Sequence, residues 1–230
     1  MKRLVIILDT LRRDVAKEIL APAFAEAKFH EIEAIGACTI TCFPHFAKAI
    51  NEFKGHKAIV TGGGFAGAFF GKYKYDYNNA TTMFPLFKAG VLPDLDKQKG
   101  NTLLVVHDYY IHNYFDDVGK SKPISWVGGI SDDRKEELFE AYHQRTRECI
   151  PRIQMLLGRF KGWEVYITTD HGEAFWERDE RYHHGRMSQK VIEKKGLVEV
   201  FETVPEVNDI FIMDFQSRDK VTQLEVLRGK

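Results

Sequence analysis

Short, continuous apolar runs alternate with longer stretches of helical period along this chain. Leu4-Val5-Ile6-Ile7-Leu8, Leu103-Leu104-Val105-Val106 and Val165-Tyr166-Ile167 have the pattern of strands buried on both faces, where no polar side is needed. Shorter strand patterns fall at Glu31–Ala37, Ala58–Val60, Gly196–Phe201 and Ile210–Met213. Helical periodicity covers Leu11 to about Phe29, interrupted at Pro22, then Pro44–Phe53, where the proline stands early and its missing N–H costs least. Further helices are predicted over Thr81–Ala89, stopped by Gly90, over Ser131 to about Phe160 with Ser131 or Asp132 as the cap, and over Lys220–Leu227. Strands that alternate with helices in this way predict an α/β fold, with a mostly parallel central sheet and helices on both faces. At 230 residues, one domain spanning 1–230 is expected. Asn113–Gly129 reads as a surface excursion able to cover a substrate.

The carboxyl end of each long strand carries pointed chemistry. The first run stops at Asp9, succeeded by Thr10-Leu11-Arg12-Arg13-Asp14. The second leads into His107-Asp108-Tyr109-Tyr110-Ile111-His112, and the third into Thr168-Thr169-Asp170-His171-Gly172-Glu173, with Tyr182-His183-His184-Gly185 shortly after. Strands often end in Asp because Asp suits turns. Three strand ends with Asp, two of them adding His, instead suggest oxygen and nitrogen ligands for a divalent metal, gathered where open α/β sheets build their sites. Each residue also has a plainer reading. Asp9 is a fit helix cap, Asp108 and His112 fit a packed helix turn with both polar groups facing water, His107 is an alternative to Asp108, and Glu173 fits a helix-start acid. Of the neighbouring pair, His184 is the better ligand and His183 the surface residue.

Composition narrows the classes. Lys+Arg and Asp+Glu balance at 33 each, so charge gives no case for nucleic acid or an anionic membrane as the main partner. No apolar run reaches the roughly 18 residues of a membrane span. Met1-Lys2-Arg3 starts basic, but the apolar run after it is too short for a signal peptide and reads as the first strand. Three cysteines, Cys38, Cys42 and Cys149, form neither a disulfide framework nor a Cys-x-x-Cys site, which leads to the expectation of a reducing, cytoplasmic setting. A different class is spelled by Gly62-Gly63-Gly64-Phe65-Ala66-Gly67 after the strand at 58–60, a Gly-x-Gly-x-x-Gly dinucleotide fingerprint. The acid expected to close a second strand about 20 residues later is missing, since Phe84-Pro85-Leu86 stands there, so the glycines are read as a turn.

In order, these segments resemble the alkaline-phosphatase superfamily, particularly its sulfatase-like branch. Val5 to Asp14 resembles the opening strand and metal-binding Asp. Thr39-Ile40-Thr41-Cys42-Phe43-Pro44-His45 is similar to the nucleophile segment, Lys57–Val60 with Phe70-Gly71 and Tyr75-Asp76 to the next strand and its sequel, and Asp170-His171-Gly172-Glu173 with His184-Gly185 to the late metal motif. The resemblance covers residues 4–213. It implies an alkaline-phosphatase-like core holding two divalent ions, Zn²⁺ or Mn²⁺, with Ca²⁺ or Mg²⁺ as other options. One ion would be held by Asp9, Asp170, His171 and the nucleophile, the other by Asp108, His112 and His184. The Asp-x-x-x-His spacing of Asp108 and His112 is that of the two-metal phosphatases and phosphodiesterases. The implied activity is hydrolysis of phosphate mono- or diesters through a covalent intermediate, on a small-molecule ester, with Arg12 and His45 placed to meet substrate. Counting two residues back from Pro44 reaches Cys42, and Thr41 is the adjacent hydroxyl, so both stand as nucleophile candidates. Formylglycine formation at Cys42 wants an Arg two residues after the proline, where this chain has Phe46. A sulfatase, an inactive metal-binding scaffold and a dinucleotide-binding protein are the alternatives.

Overall fold

A computed structural model of the chain describes residues 1–36, 39–62, 68–80, 84–95, 97–114, 134–173, 175 and 205–230. The strand predicted over 196–201, His184 and most of the glycine cluster lie outside the described residues.

The apolar runs form the heart of a seven-stranded mixed sheet of order β2-β7-β6-β1-β5-β3-β4. Its strands are β1 (Lys2–Leu8), β2 (Lys28–Glu33), β3 (His56–Thr61), β4 (Tyr77–Asn79), β5 (Thr102–Asp108), β6 (Glu164–Thr168) and β7 (Asp209–Asp214). β6, β1, β5, β3 and β4 run parallel to one another, and β7 runs antiparallel to both β6 and β2. β1 is central. Its register sets Ile7 opposite both His107 and Thr168, and Leu8 opposite Asp108. The carboxyl ends of the three most apolar strands therefore finish at one level.

Alternation along β1 sorts its side chains into two cores. Leu4, Ile6 and Leu8 join Val15, Leu20, Leu138, Tyr142 and Ile153. Val5 and Ile7 join Phe43, Phe46, Ile50, Phe53 and Val226. The first cluster draws on a helical stretch made of α1 (Arg13–Val15), a π turn (Ala16–Leu20) and α2 (Ala21–Ala23), and on the long α4 (Lys135–Arg159). The second draws on α3 (Thr39–Glu52) and α6 (Gln223–Arg228). A four-residue helix, α5 (Pro205–Asn208), precedes β7.

Several elements depart from the sequence pattern for identifiable reasons. α3 starts five residues before Pro44, which lies inside the helix. The backbone bond this proline forgoes is offset by burial of Cys42, Phe43, Phe46, Ala47 and Ile50, an instance of packing overriding local propensity. The helix predicted over 81–89 is replaced in its described part by 3-10 turns at Pro85–Phe87 and Ala89–Val91. β2 begins at Lys28, three residues ahead of the pattern, because it pairs as an edge along the whole of β7. The closing helix is fixed by a capping box of Thr222 with Glu225 and ends at Gly229, φ 77°. Among the described residues no helix is long and apolar enough to cross a membrane.

Arg3 fastens the amino end of β1. It is 1% exposed, donates to Glu164 Oε2 at 2.6 and 2.9 Å and to the Val226 carbonyl at 2.6 Å, and lies over the Tyr166 ring. Arg218 meets the same Glu164 at 3.2 Å from a position 30% exposed. Truncating a buried member of an ion pair costs more than truncating a solvated one. Arg3→Ala is therefore expected to lower unfolding free energy by about 3 kcal/mol and Arg218→Ala by less than about 1 kcal/mol, measured by urea denaturation.

Candidate metal centre

Beyond Leu8 the chain turns sharply and is tied down at every residue. Asp9 N donates to the Asp108 carbonyl at 3.0 Å, Thr10 N to Asp170 Oδ1 at 3.2 Å and Leu11 N to Thr169 Oγ1 at 3.0 Å. Arg12 N donates to the Tyr142 hydroxyl at 2.7 Å, and that hydroxyl donates on to the Thr10 carbonyl at 2.7 Å. Thr10 is held at φ 62°, a region a β-branched residue enters only at a cost of roughly 1–3 kcal/mol. The Tyr142 latch and the bonds from Asp170 and Thr169 hold that strain in place.

The turn brings Asp9 against Asp170 and His107. One ligand atom from each of the three lies within 4.8 Å of the others, and all three residues are buried. His107 Nε2 stands 2.8 Å from Asp9 Oδ2, and His171 Nε2 stands 3.4 Å from Asp170 Oδ2. The opposite ring nitrogens are also partnered. His107 Nδ1 lies 2.8 Å from Thr61 Oγ1, a hydroxyl that can donate or accept. His171 Nδ1 lies 2.7 Å from the Gly172 carbonyl, which can only accept. The His171 Nε2 atom is thereby turned toward the Asp170 carboxylate.

Two buried carboxylates side by side favour a proton or a cation between them. Burial pushes the His107 imidazole down to about 4, partly countered by Asp170 and Asp108, so the ring is neutral near pH 7. Burial, then the charge of Asp170, pushes the Asp9 carboxyl up to about 7. Without a metal, a proton on Asp9 supplies the missing positive charge. A divalent ion fits the same place: two carboxylates and two imidazoles are a mixed oxygen and nitrogen donor set suited to zinc or manganese, each imidazole is held from behind by a hydrogen-bond partner, and Asp9 Oδ1 accepts no hydrogen bond among the described residues.

The residues singled out in the sequence fall into three groups. Asp9 and Asp170 meet at the cluster, His171 borders it beside Asp170, and His112 Nε2 stands 4.0 Å from Asp9 Oδ1. Asp108 is turned from it. Its two oxygens accept from Leu86 N and Tyr110 N, each at 2.8 Å. Strand alternation sets this arrangement, since His107 shares the face of Val105, which α3 covers, and Asp108 shares the face of Val106. Arg12 binds Asp14 through Nε at 2.9 Å and Nη2 at 2.6 Å and lies over the Phe139 and Phe175 rings. His45 is exposed, one residue past Pro44. His184 lies outside the described residues.

In the nucleophile segment the hydroxyl at the cluster belongs to Thr39, the first residue of α3. Thr39 Oγ1 is 3.1 Å from Asp170 Oδ2 and 3.4 Å from Asp9 Oδ2. Thr41 packs its Oγ1 against Gly36, where an added Cβ would lie 2.3 Å away. Cys42 Sγ is directed at the Gly36 carbonyl, 3.2 Å away, and the Asp170 carbonyl, 3.3 Å away. The motif count of two residues back from Pro44 reaches Cys42, whereas the hydroxyl beside the carboxylates lies three residues earlier, at Thr39. With the start at residue 39, Thr39 and Cys42 stand one turn apart on the same helix side. Tyr109 was also missed. Its ring lies between His107 and His112, with centroids 4.9 and 5.2 Å away.

No protein-family model matches the sequence, and no curated protein resembles it in sequence. The fold does have counterparts. The periplasmic domain of phosphoethanolamine transferase EptC from Campylobacter jejuni superposes with a TM-score of 0.60 at 13% identity, over 93% of this chain and 78% of that one. The corresponding Escherichia coli EptC domain, solved in complex with Zn, gives 0.54 at 13% identity over 95% and 75%. A 2-O GAG sulfatase gives 0.52 at 10% identity over 93% and 63%. The chain thus shares its fold with these phosphoethanolamine transferase domains and this sulfatase. The expected cytoplasmic setting does not stand, because two of these counterparts are periplasmic domains. The cysteines gave no guidance there. Cys42 and Cys149 are buried free thiols, a state compatible with either compartment.

Two measurements check the centre. Since the Asp9 carboxyl is raised to about 7, an entering cation must displace its proton. Apparent Zn²⁺ affinity is expected to weaken by about tenfold per pH unit below that value and to level off above it, by calorimetry in buffers of different ionisation heat. Gly172 donates its N–H to the Val207 carbonyl, and an added Cβ would lie 1.9 Å from the Glu206 carbonyl oxygen. Gly172→Ala should cost about 3 kcal/mol or more, because backbone has to move, measured by urea unfolding.

Proposed function

We propose that this protein is a metal-dependent enzyme that cleaves phosphate esters, diesters above all, with Thr39 as its nucleophile and a phosphothreonine intermediate. The supporting observation is the position of the Thr39 hydroxyl, between two buried carboxylates that also stand against the His107 and His171 rings. Thr39 also opens a 14-residue helix, whose first backbone N–H groups lack intrahelical partners and favour an anion.

A divalent ion held by Asp9, Asp170, His107 and His171 would neutralise phosphoryl charge and ease loss of the Thr39 proton. Asp170 accepts the hydrogen bond that aims the Thr39 oxygen. Thr61 and the Gly172 carbonyl hold the His107 and His171 rings from behind, with each Nε2 directed inward. His112 borders the centre on the Asp9 side and, with His184, is proposed for a second ion. Thr41 and Cys42 then serve to seat the helix start, and Arg12 to brace the turn through Asp14.

Phosphate is favoured over sulfate because the hydroxyl at the centre is an ordinary threonine, which needs no conversion to formylglycine, and because phosphoethanolamine transferases share the fold. The intermediate passes its group to water in a hydrolase or to an alcohol in a transferase. Periplasmic counterparts support an extracytoplasmic setting.

With bis(4-nitrophenyl) phosphate and Zn²⁺, the protein is expected to release nitrophenolate, and a chelator should abolish the release. Thr39→Ala should lower kcat by at least about 10³, while Thr41→Ala and Cys42→Ala each stay within about tenfold. A larger loss from Cys42→Ala than from Thr39→Ala would transfer the assignment to the cysteine.

A further inference from the structure

Tyr142 stands on α4, far along the chain from Asp9, yet its side chain touches all three segments that supply the proposed ligands. Its hydroxyl accepts from Arg12 N and donates to the Thr10 carbonyl, each at 2.7 Å, in the turn that carries Asp9. Its ring meets Tyr114, which follows His112 on the segment after β5, edge-on at 5.4 Å. It meets Phe175, on the segment of Asp170 and His171, at 5.0 Å. All three rings are buried.

Hydrogen-bond chemistry limits what can stand at this place. A backbone N–H only donates and a carbonyl only accepts, so a side chain that joins them must do both, as a hydroxyl does. From Thr10 the constraint passes to a ligand. Thr10 N donates to Asp170 Oδ1 at 3.2 Å. The other oxygen, Oδ2, is left toward the Thr39 hydroxyl at 3.1 Å and His171 Nε2 at 3.4 Å. The Thr10 donor keeps its aim only while Thr10 stays at φ 62°, a conformation that a β-branched residue leaves when nothing holds it.

We propose that Tyr142 is a positioning residue for the metal centre: its hydroxyl holds Thr10 in the left-handed region and, through the Thr10 N–H, fixes the Asp170 carboxylate for both metal and nucleophile. The inference rests on the metal centre of the phosphoester reading and adds a residue to it. Tyr142 touches neither metal nor substrate in this role. Its effect reaches the centre through backbone geometry alone.

Tyr142→Phe removes one oxygen atom and keeps the ring against Tyr114 and Phe175. In the full chain, Zn²⁺ affinity measured by calorimetry is expected to fall by about tenfold or more. Lost packing alone would give the same fall whatever residue stands at position 10. The proposed route predicts otherwise. Glycine takes a positive φ without strain, and Thr10→Gly keeps the backbone N–H. Adding Thr10→Gly to Tyr142→Phe should therefore restore most of the lost affinity, with each titration run below the melting temperature of its variant. If Tyr142→Phe does not fold, the double variant is expected to recover both fold and zinc affinity. Wild-type zinc affinity in Tyr142→Phe would overturn the proposal, as would weak zinc binding by a folded double variant. Nitrophenolate release by the zinc-loaded wild-type protein would in those cases leave the phosphoester reading standing. Conversely, the expected loss and recovery of zinc affinity in a protein that turns over no phosphate ester would keep the role of Tyr142 and sink the phosphoester reading. A wild-type protein that takes up no zinc would overturn both.

Discussion

The register of three parallel strands governs everything at this centre. β1 lies between β5 and β6 with Ile7 level with His107 and Thr168, so the residues just past the strand ends have nowhere to go but toward one another. Two carboxylates and the His107 imidazole are thereby buried together. Such a set favours a proton or a cation among its members. Burial, then the charge of Asp170, raises the Asp9 carboxyl, and burial lowers the His107 imidazole.

Much of the surrounding structure exists to hold this arrangement. Tyr142, reaching from the long helix α4, closes the turn from 9 to 12 and keeps Thr10 in a conformation it would otherwise leave. Gly172 lets the Asp170 segment press against α5, where any side chain would meet the Glu206 carbonyl. Thr61, at the end of β3, orients the His107 ring. None of these contacts is strong alone, but each removes a freedom that would let the like-charged groups separate.

The helix start at Thr39 is the second decisive feature, and it shows where pattern reading stopped. A proline in the chain is good reason to begin a helix, and at Pro44 that reasoning set the start five residues late. Phe43, Phe46 and Ile50 gain more by burial against β1 and β5 than the helix loses in one backbone bond. Extending the helix moves the nucleophile question from residues 41 and 42 to residue 39, whose hydroxyl alone of the three is at the carboxylates. The choice between His107 and Asp108 has a similar origin. Both lie at the end of β5, and which one faces α3 depends on the parity of the strand.

Composition, hydrophobic period and residue spacing were sufficient for the buried strands, for the long helix over most of its length and for the strand-end positions of Asp9, Asp170 and His171. These are local properties: a continuous apolar run is a strand to be buried on both faces wherever it occurs, and an Asp after it sits at a strand end. Whether Asp108 or His107 faces the centre, and whether Thr39 or Thr41 sets its hydroxyl beside the carboxylates, depend on side chains that meet from distant parts of the chain. Only tertiary packing decided them, because strand parity and helix phase are set by the neighbours an element is pressed against and not by its own sequence.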